Sequence, residues 1–277
     1  MKVDELFQKM IKKSGVDIPK NKTCDQFIFG DKTAEIKKIA TTFMATDEVI
    51  EKAIADNVNL IITHEPTWYS SLDKTDWLTD DSNFKRKVDL LSEHHIAIFR
   101  WHDHMHMQSV DGIGDGFVKM MGWEGKDIPV KKPSQSIEDK PGLVYAVHYD
   151  TLADLVADIK QKLGMPTVRI LGNPNITIDR IGLFYGGGSL GLQNELEPMK
   201  LTRKYDINVG ICGDIKEWTF PAYIRDASYL GQKRSLILLG HERSEEYGMK
   251  FLPTWLKPII GSIPVVFIDT REPFQYL

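Results

Sequence analysis

The chain has 277 residues and a formal net charge of −4, with 42% hydrophobic and 27% charged residues and a pI of about 6.1. This length suits one large domain or two ordinary ones, and the composition is that of a folded globular protein. The acidic balance disfavours a dedicated nucleic-acid binder, and the lack of a long apolar run excludes a membrane-spanning protein.

The cysteines and the N-terminal residues indicate a cytoplasmic protein. Cys24 and Cys212 are far apart and form no CxxC pair, so no disulfide framework is expected. The first 15 residues carry several charges and lack the apolar core of a secretion signal. We therefore expect a reduced protein that resides in the cytoplasm.

Helix and strand patterns alternate in the first half of the chain. Apolar residues at helical spacing predict helices over residues 3–13, 46–57, 82–95 and 111–121. A predicted strand over 35–43 is joined by two short runs rich in β-branched residues, which predict strands over 59–63 and 96–100. The charged, proline-containing stretch 126–140 has neither pattern and is a candidate linker.

The second half repeats the alternation. Strands are predicted over residues 143–149, 168–171, 178–185, 208–212, 235–240 and 263–269. Helices are predicted over 151–163, from the turn at 186–190 to about 205, over 217–230 and over 241–251. Such alternation is typical of an α/β fold with mostly parallel sheets and right-handed crossovers.

Three histidine-containing motifs each follow a predicted strand directly. They are His64-Glu65, His102-Asp-His-Met-His106 and His241-x-x-x-Glu245. In open α/β sheets, ligands bind outside the carboxyl ends of the strands. Imidazole and carboxylate together suit Zn²⁺, Mn²⁺ or Fe²⁺, so the three motifs predict a metal site at these ends.

Each motif taken alone has a plainer interpretation. The first could be a polar turn before a proline, and the second could be a solvated loop. His241 and Glu245 could be an ordinary pair on a helix surface. The occurrence of all three motifs at strand ends favours the metal site.

Four segments of the chain resemble the motifs of one known family. Asn59-Leu-Ile-Ile-Thr-His-Glu-Pro66 is similar to LIITHHP, and His102-Asp-His-Met-His106 falls where that family has HTNLD. Gly213-Asp-Ile-Lys216 is similar to TGDIK, and Gly240-His-Glu-Arg-Ser-Glu-Glu-Tyr-Gly248 is similar to GHYxSExxG. By these motifs and their order, the chain resembles the Nif-three-like family, also called type 2 GTP cyclohydrolase I.

The resemblance implies two interlinked α/β domains, a dinuclear metal centre in the cleft between them and a toroidal homohexamer. With the candidate linker, the first domain spans residues 1–125, completed by 232–277, and the second spans 126–231. Carried over by position, the implied metal ligands are His64, Glu65, His106, His241 and Glu245.

Two of these positions depart from the family pattern. Glu65 stands where the family has the second histidine of LIITHHP, and His106 stands where it has the aspartate of HTNLD. The two exchanges are reciprocal, so the number of ligands and the formal charge of the site are retained. We interpret the site as rearranged, with Asp103 and His104 as reserve ligands and as the candidates for a general base.

The leading hypothesis is a metal-dependent hydrolase in which two divalent ions (Zn, Mn or Fe) activate a water molecule. Its substrate would be nucleotide-like or another small cyclic compound, and nothing in these residues recognises guanine. A second hypothesis is a metal-stabilised adaptor or regulator that binds protein partners without turnover. A third, suggested by the HxHxH run alone, is an amidohydrolase-like or histidinol-phosphatase-like barrel with more βα units.

Overall fold

The computed structural model describes residues 1–130, 143–190 and 195–277. These residues form two compact units, of which the first contains Met1–Ile113 and Gly248–Arg271. The second unit contains Gly114–Tyr247 and Glu272–Leu277. Each unit holds one five-stranded mixed sheet, which confirms the predicted α/β class. Residues 131–140 of the candidate linker lie outside the described residues.

The first unit alternates short strands with helices. Its helices are α1 (Val3–Ser14), α2 (Asp47–Ala55), α3 (Ser82–Glu93) and the single turn α4 (Asp103–His106). Its strands are β1 (Gln26–Phe29), β2 (Ile39–Thr42), β3 (Leu60–Thr63), β4 (Ala97–Arg100) and β10 (Val265–Phe267).

The sheet of the first unit has the order β1-β4-β3-β2-β10. Edge strand β1 is antiparallel to β4, and the other neighbouring strands are parallel. Every residue of β3 and β4 is buried, and their register pairs Thr63 with Arg100. The two strands therefore end side by side, and the segments that begin at His64 and Trp101 emerge at the same edge of the sheet.

Local sequence sets the bounds of the helices in this unit. The Thr46 hydroxyl accepts a hydrogen bond from the Val49 amide at 3.3 Å and so caps the N-terminus of α2. Asp81 caps α3 in the same way through the Phe84 amide at 2.8 Å. Each such cap contributes about 1 kcal/mol to helix stability.

The second unit is built on the parallel strands β7 (Ile178–Phe184), β8 (Val209–Cys212) and β9 (Ser235–Leu238). Two antiparallel strands flank them, β5 (Val144–Tyr149) and β6 (Arg169–Leu171), in the order β5-β7-β8-β9-β6. The register pairs Phe184 with Cys212 and Cys212 with Leu238, so β7, β8 and β9 end at one edge. Its helices are α6 (Leu152–Leu163), α7 (Glu197–Lys204) and α8 (Phe220–Tyr229).

Two helices each contain one of the three points at which the chain passes from one unit to the other. They are α5 (Gly112–Met121) and α9 (His241–Ile260). The domain bounds 1–125 with 232–277 and 126–231 remain predictions. Phe117 and Trp123 pack in one core cluster with Leu152 and Ile181, and β9 pairs with β8.

Several elements differ from their sequence patterns. Strand β1 and helix α4 were not predicted, and β2 is shorter than 35–43. Helix α9 continues to Ile260 through Pro253 and Pro258, although an internal proline usually breaks a helix. Residues Leu252 and Leu256 are buried, and this packing offsets the lost backbone hydrogen bonds. The barrel alternative is wrong, since the described strands form two open sheets.

Among the described residues, no helix combines the length and the apolar character that crossing a membrane requires.

Candidate metal centre

Three imidazoles of the first unit lie close together at the carboxyl ends of β3 and β4. Each of His64, His102 and His106 offers a ligand atom, and the three atoms all lie within 4.8 Å of one another. The His64 and His102 rings are stacked with centroids 4.4 Å apart. The His106 ring lies 4.9 Å from the first and 4.8 Å from the second, at steep angles to both. We call these three side chains the histidine cluster.

Each ring of the histidine cluster contacts an oxygen atom through its Nδ1. For His64, His102 and His106 in turn, the acceptors are the Trp101 carbonyl (3.3 Å), Asp103 Oδ1 (2.9 Å) and Asp111 Oδ2 (3.0 Å). An oxygen partner favours the tautomer with the proton on Nδ1, which leaves the Nε2 lone pair for a metal ion. The surroundings of the cluster therefore prepare three nitrogen ligands.

The distance between two of these nitrogens fits a shared cation. Nε2 of His64 lies 3.2 Å from Nε2 of His106. Two nitrogens that bind one Zn²⁺ in tetrahedral geometry are about 3.3 Å apart, from a Zn–N bond of about 2.05 Å. Since both Nδ1 atoms face oxygens, two lone pairs would otherwise face each other, and a cation relieves that repulsion. The residues present thus fit a divalent metal ion.

A buried carboxylate from before β1 holds the segment that carries this cluster. Asp25 Oδ1 accepts the backbone amides of His102 at 2.5 Å and Asp103 at 2.8 Å. Asp25 Oδ2 accepts the backbone amide of His104 at 2.9 Å and contacts its Nδ1 at 2.6 Å. The Asp25 side chain is completely buried, so these contacts fix the turn α4 in place.

Glu65 makes an ion pair with a buried arginine. Its Oε2 accepts a hydrogen bond from Arg100 Nη2 at 3.1 Å, and its Oε1 lies 3.6 Å from His102 Nε2. Arg100 is the last residue of β4, and its side chain is only 4% exposed. The negative charge of Glu65 therefore faces a buried cation inside the first unit.

The two candidate general bases are engaged in other contacts. His104 is buried against Asp25 and stacks on Trp101 with centroids 5.0 Å apart. Burial alone would raise the pKa of Asp103, but hydrogen bonds from His102, from the Cys24 amide and from a threonine hydroxyl hold that pKa well below its usual range. A carboxylate of this kind is a poor proton acceptor, so these contacts indicate that Asp103 orients His102.

A thiol lies beside the same carboxylate. Cys24 forms a second possible metal group with His102 and Asp103. Burial, reinforced by the charges of Asp103 and Asp25, raises the pKa of Cys24 to about 12. The metal-free thiol is therefore protonated at neutral pH, and it would need a cation to become a thiolate ligand.

The second unit places its own histidine and carboxylates at the ends of β8 and β9. His241 Nδ1 contacts Asp214 Oδ2 at 2.7 Å, and its Nε2 lies 3.2 Å from Glu245 Oε2, one turn along α9. The Glu245 side chain is only 4% exposed. This confirms the shared helix face expected from the i, i+4 spacing. Asp214 belongs to the Gly213–Lys216 motif, so its contact with His241 joins that motif to the one that begins at Gly240.

Two glycines make room for these side chains. Gly186 has a φ of 51°, and a Cβ there would lie 1.8 Å from Glu245 Oε1. A Cβ at Gly213 would lie 2.3 Å from the Gly186 carbonyl oxygen. The Gly186 amide also donates to the Ser244 hydroxyl at 2.9 Å. The glycine-rich turn after β7 therefore closes tightly around the carboxylate.

The predicted ligands are distributed between these two clusters. His64 and His106 lie in the histidine cluster, Glu65 lies beside it, and His241 and Glu245 pair in the second unit. Sequence reasoning did not single out His102 as a candidate ligand, and it did not identify the carboxylates of Asp25, Asp111 and Asp214. The HxHxH run and the Gly213–Lys216 motif carried the signal for His102 and Asp214, whereas Asp25 stands in no motif.

The chain is similar to one protein family along almost its whole length. A model of the Duf34/NIF3 family (NGG1p interacting factor 3) matches residues 1–273. A protein of Clostridium perfringens named GTP cyclohydrolase 1 type 2 homolog is 26% identical over 252 residues, 90% of this chain and 89% of that protein. The protein of the same name from Clostridium acetobutylicum is 28% identical over 161 residues, 57% of this chain and 58% of that protein.

Solved structures share the fold. The Staphylococcus aureus hypothetical protein SA1388 is 23% identical, with a TM-score of 0.68 over 100% of this chain and 99% of that one. A Bacillus cereus protein related to NIF3 is 11% identical, with a TM-score of 0.70 and the same coverage. At these identities the likeness concerns the fold alone.

Proposed function

Because the chain belongs to the Duf34/NIF3 family, we propose that it is a metal-dependent hydrolase acting on a nucleotide-like or other small cyclic substrate. The relatives named GTP cyclohydrolase 1 type 2 homolog support this class of substrate. We further propose two divalent ions of Zn, Mn or Fe per chain. Their candidate ligands are His64, Glu65, His106, His241 and Glu245.

The observation that carries the proposal is the pair of facing nitrogens. His64 and His106 present Nε2 atoms 3.2 Å apart at the ends of two strands, and each ring has an oxygen at its Nδ1. Carboxylate-backed and carbonyl-backed imidazoles are typical of protein metal sites. Their place at the carboxyl ends of parallel strands is also where α/β proteins bind substrates.

The bound metal would supply Lewis acidity, which polarises a substrate oxygen and lowers the pKa of a water molecule. The protein's own residues prepare for that chemistry. Asp111 and Asp214 hold His106 and His241 in a fixed orientation. Asp25 fixes the turn that carries His102 and His106, so the ligands need little reorganisation when an ion binds.

Metal content tests the first half of the proposal. Untagged protein would be stripped with chelator, reloaded with Zn²⁺, Mn²⁺ or Fe²⁺, and assayed by elemental mass spectrometry. We expect about two ions per chain in the wild type, as in two-metal hydrolases. The double variants H64A/H106A and H241A/E245A should each hold less metal than the wild type without losing all of it, while H94A, which removes an exposed histidine, should hold as much as the wild type. A wild type that retains no ion after reloading would contradict the proposal.

Turnover tests the second half. The loaded wild type would be incubated with nucleoside triphosphates, cyclic nucleotides and small phosphoesters, and the products separated by liquid chromatography. Hydrolysis that disappears in H64A/H106A would support the enzyme. Tight metal without any turnover would favour the adaptor hypothesis, in which loss of metal lowers stability and partner binding instead.

The homohexameric ring and the cytoplasmic location belong to the same proposal. The ring follows from the family resemblance, and the location follows from the cysteine content. Light scattering after size-exclusion chromatography would give a mass near six times 31.6 kDa if the ring forms. A monomer at micromolar concentration would contradict the ring without affecting the proposed chemistry.

A further inference from the structure

Glu65 and His106, the two residues that differ from the family motifs, are not equally suited to bind a metal ion. His106 stands in the histidine cluster with its Nε2 toward His64. Glu65 has its Oε2 on Arg100 Nη2 at 3.1 Å, and the guanidinium side chain is 4% exposed. A buried, charge-assisted hydrogen bond of this kind is among the strongest that a carboxylate forms, so a metal ion must compete with it.

Arg100 is itself held in place by its other nitrogens. Its Nε donates to the His64 carbonyl at 3.1 Å, and its Nη1 donates to the Ser71 carbonyl at 2.6 Å. Its Nη1 also lies 3.7 Å from the Asp73 carboxylate. A guanidinium fixed on several sides does not follow Glu65 toward a metal, and moving the glutamate would break the buried pair. Breaking this pair is unfavourable because it leaves the buried guanidinium with the longer contact to Asp73, at 3.7 Å.

His102 has the contacts that a ligand needs. Its Nδ1 contacts Asp103 Oδ1 at 2.9 Å, which leaves Nε2 as its ligand atom. Its ring stacks on His64 at 4.4 Å and lies 4.8 Å from the His106 ring. Its Nε2 is 3.6 Å from Glu65 Oε1, beyond hydrogen-bonding distance, so the glutamate does not occupy that nitrogen.

We propose that His102 is the third nitrogen ligand of an ion held by His64 and His106, and that Glu65 is a positioning residue. This assignment rests on the proposed metal-binding function and changes which residues perform it. Arg100 donates to the His64 carbonyl and to the Glu65 carboxylate, and Glu65 Oε1 lies 3.6 Å from His102 Nε2.

The assignment has a consequence for the choice of metal. Three imidazoles form a neutral set of nitrogen ligands, and the charge of Glu65 is paired with that of Arg100. Neutral nitrogen ligands favour Zn²⁺ and Co²⁺, whereas Mn²⁺ and Mg²⁺ prefer carboxylate oxygens. The reciprocal exchange at positions 65 and 106 thus shifts this part of the centre toward the later transition metals.

The test measures metal affinity by competition with a chromophoric chelator. It uses the full-length H241A/E245A protein, so that the ligands of the second unit do not contribute, with the wild type in parallel. H102A and H102Q should weaken Zn²⁺ and Co²⁺ binding by about 100-fold or more, because a direct ligand matters at least as much as an outer-shell partner. E65Q keeps the hydrogen bond from Arg100, so its metal affinity should stay within about threefold of that of the H241A/E245A protein itself. H94A is the control.

A spectroscopic measurement makes the test independent of how the variants fold. X-ray absorption of the Zn²⁺-loaded H241A/E245A protein should show three imidazoles per ion, and the same protein with E65Q should show the same number. Circular dichroism and the melting temperature would confirm that each variant is folded.

The outcomes separate the two proposals. Large loss of affinity in E65Q, or two imidazoles in the absorption spectrum with full binding in H102A, would overturn the role of His102 and leave the hydrolase proposal standing. Loss of all binding in the H241A/E245A protein while the wild type binds metal would also overturn it. Absence of metal from the loaded wild type would instead refute the proposed function itself.

Discussion

Removing the Asp25 carboxylate should destabilise the first unit and weaken its metal site together. The side chain is completely buried and faces four donors: the amides of His102, Asp103 and His104, and Nδ1 of His104, at 2.5–2.9 Å. In D25A these groups would be left without that partner inside the fold. The turn that carries two of the three clustered imidazoles would then lose its anchor.

The magnitude follows from the number of these hydrogen bonds. A hydrogen bond to a charged group contributes about 1.5–3 kcal/mol, so four of them set an upper range of about 6–12 kcal/mol. Water entering the cavity and relaxation of α4 would recover part of this, as in other disrupted buried networks. We therefore expect D25A to lower the free energy of unfolding by about 3–5 kcal/mol.

The assay is urea unfolding of metal-free protein, followed by tryptophan fluorescence, since Trp101 stacks on His104. The matched control is D31A, because Asp31 also accepts from a backbone amide and a hydroxyl, both of Thr33, but is exposed. The control should leave the free energy of unfolding almost unchanged. A D25A loss as small as that of D31A would refute the reasoning that this buried carboxylate anchors the site.

Three further predictions concern the second unit, the thiol and the buried arginine. G186A should lower the melting temperature and the metal content, because its Cβ would lie 1.8 Å from the Glu245 carboxylate, whereas G188A, with no atom within 4 Å of its Cβ, should change neither. The pKa of Cys24 in the metal-free protein is raised to about 12. At pH 8 this thiol should therefore react with iodoacetamide far more slowly in the folded protein than in urea, because little of it is thiolate. The rate of its reaction in the folded protein should rise with pH up to about pH 12. Equal rates in folded and unfolded protein would contradict this. R100M should lower the free energy of unfolding by about 3–5 kcal/mol in urea titrations, because it leaves the partly buried Glu65 carboxylate without its cation. A loss below about 1 kcal/mol would show that the pair of Arg100 and Glu65 is dispensable.

Much of the local structure and the family could be predicted from the sequence. Helix α2 and its Thr46 cap, the buried strand β3 and the pair His241 and Glu245 all depend on neighbours within about four residues. Hydrophobic periodicity, capping and i, i+4 spacing are local properties, and they are legible without tertiary contacts. The motifs that identify the family are likewise short and continuous.

Where sequence reasoning failed, the decisive contacts join distant residues. One core cluster joins Phe117 and Trp123 to Leu152 and Ile181, on the two sides of the candidate linker, and no local pattern indicates this packing. Strand β1 carries no clear pattern, since its place at a sheet edge and its antiparallel pairing with β4 decide its conformation.

The histidine motifs themselves, and their position at strand ends, were determined by the sequence alone. The tertiary structure decided which of their side chains meet, because the register of Thr63 with Arg100 brings His64 to the segment after β4. It also decided that Asp25 anchors that segment from 77 residues away and that Arg100 takes up the charge of Glu65. Hydrogen bonds and ion pairs depend on distances in space, and only the folded chain sets those distances.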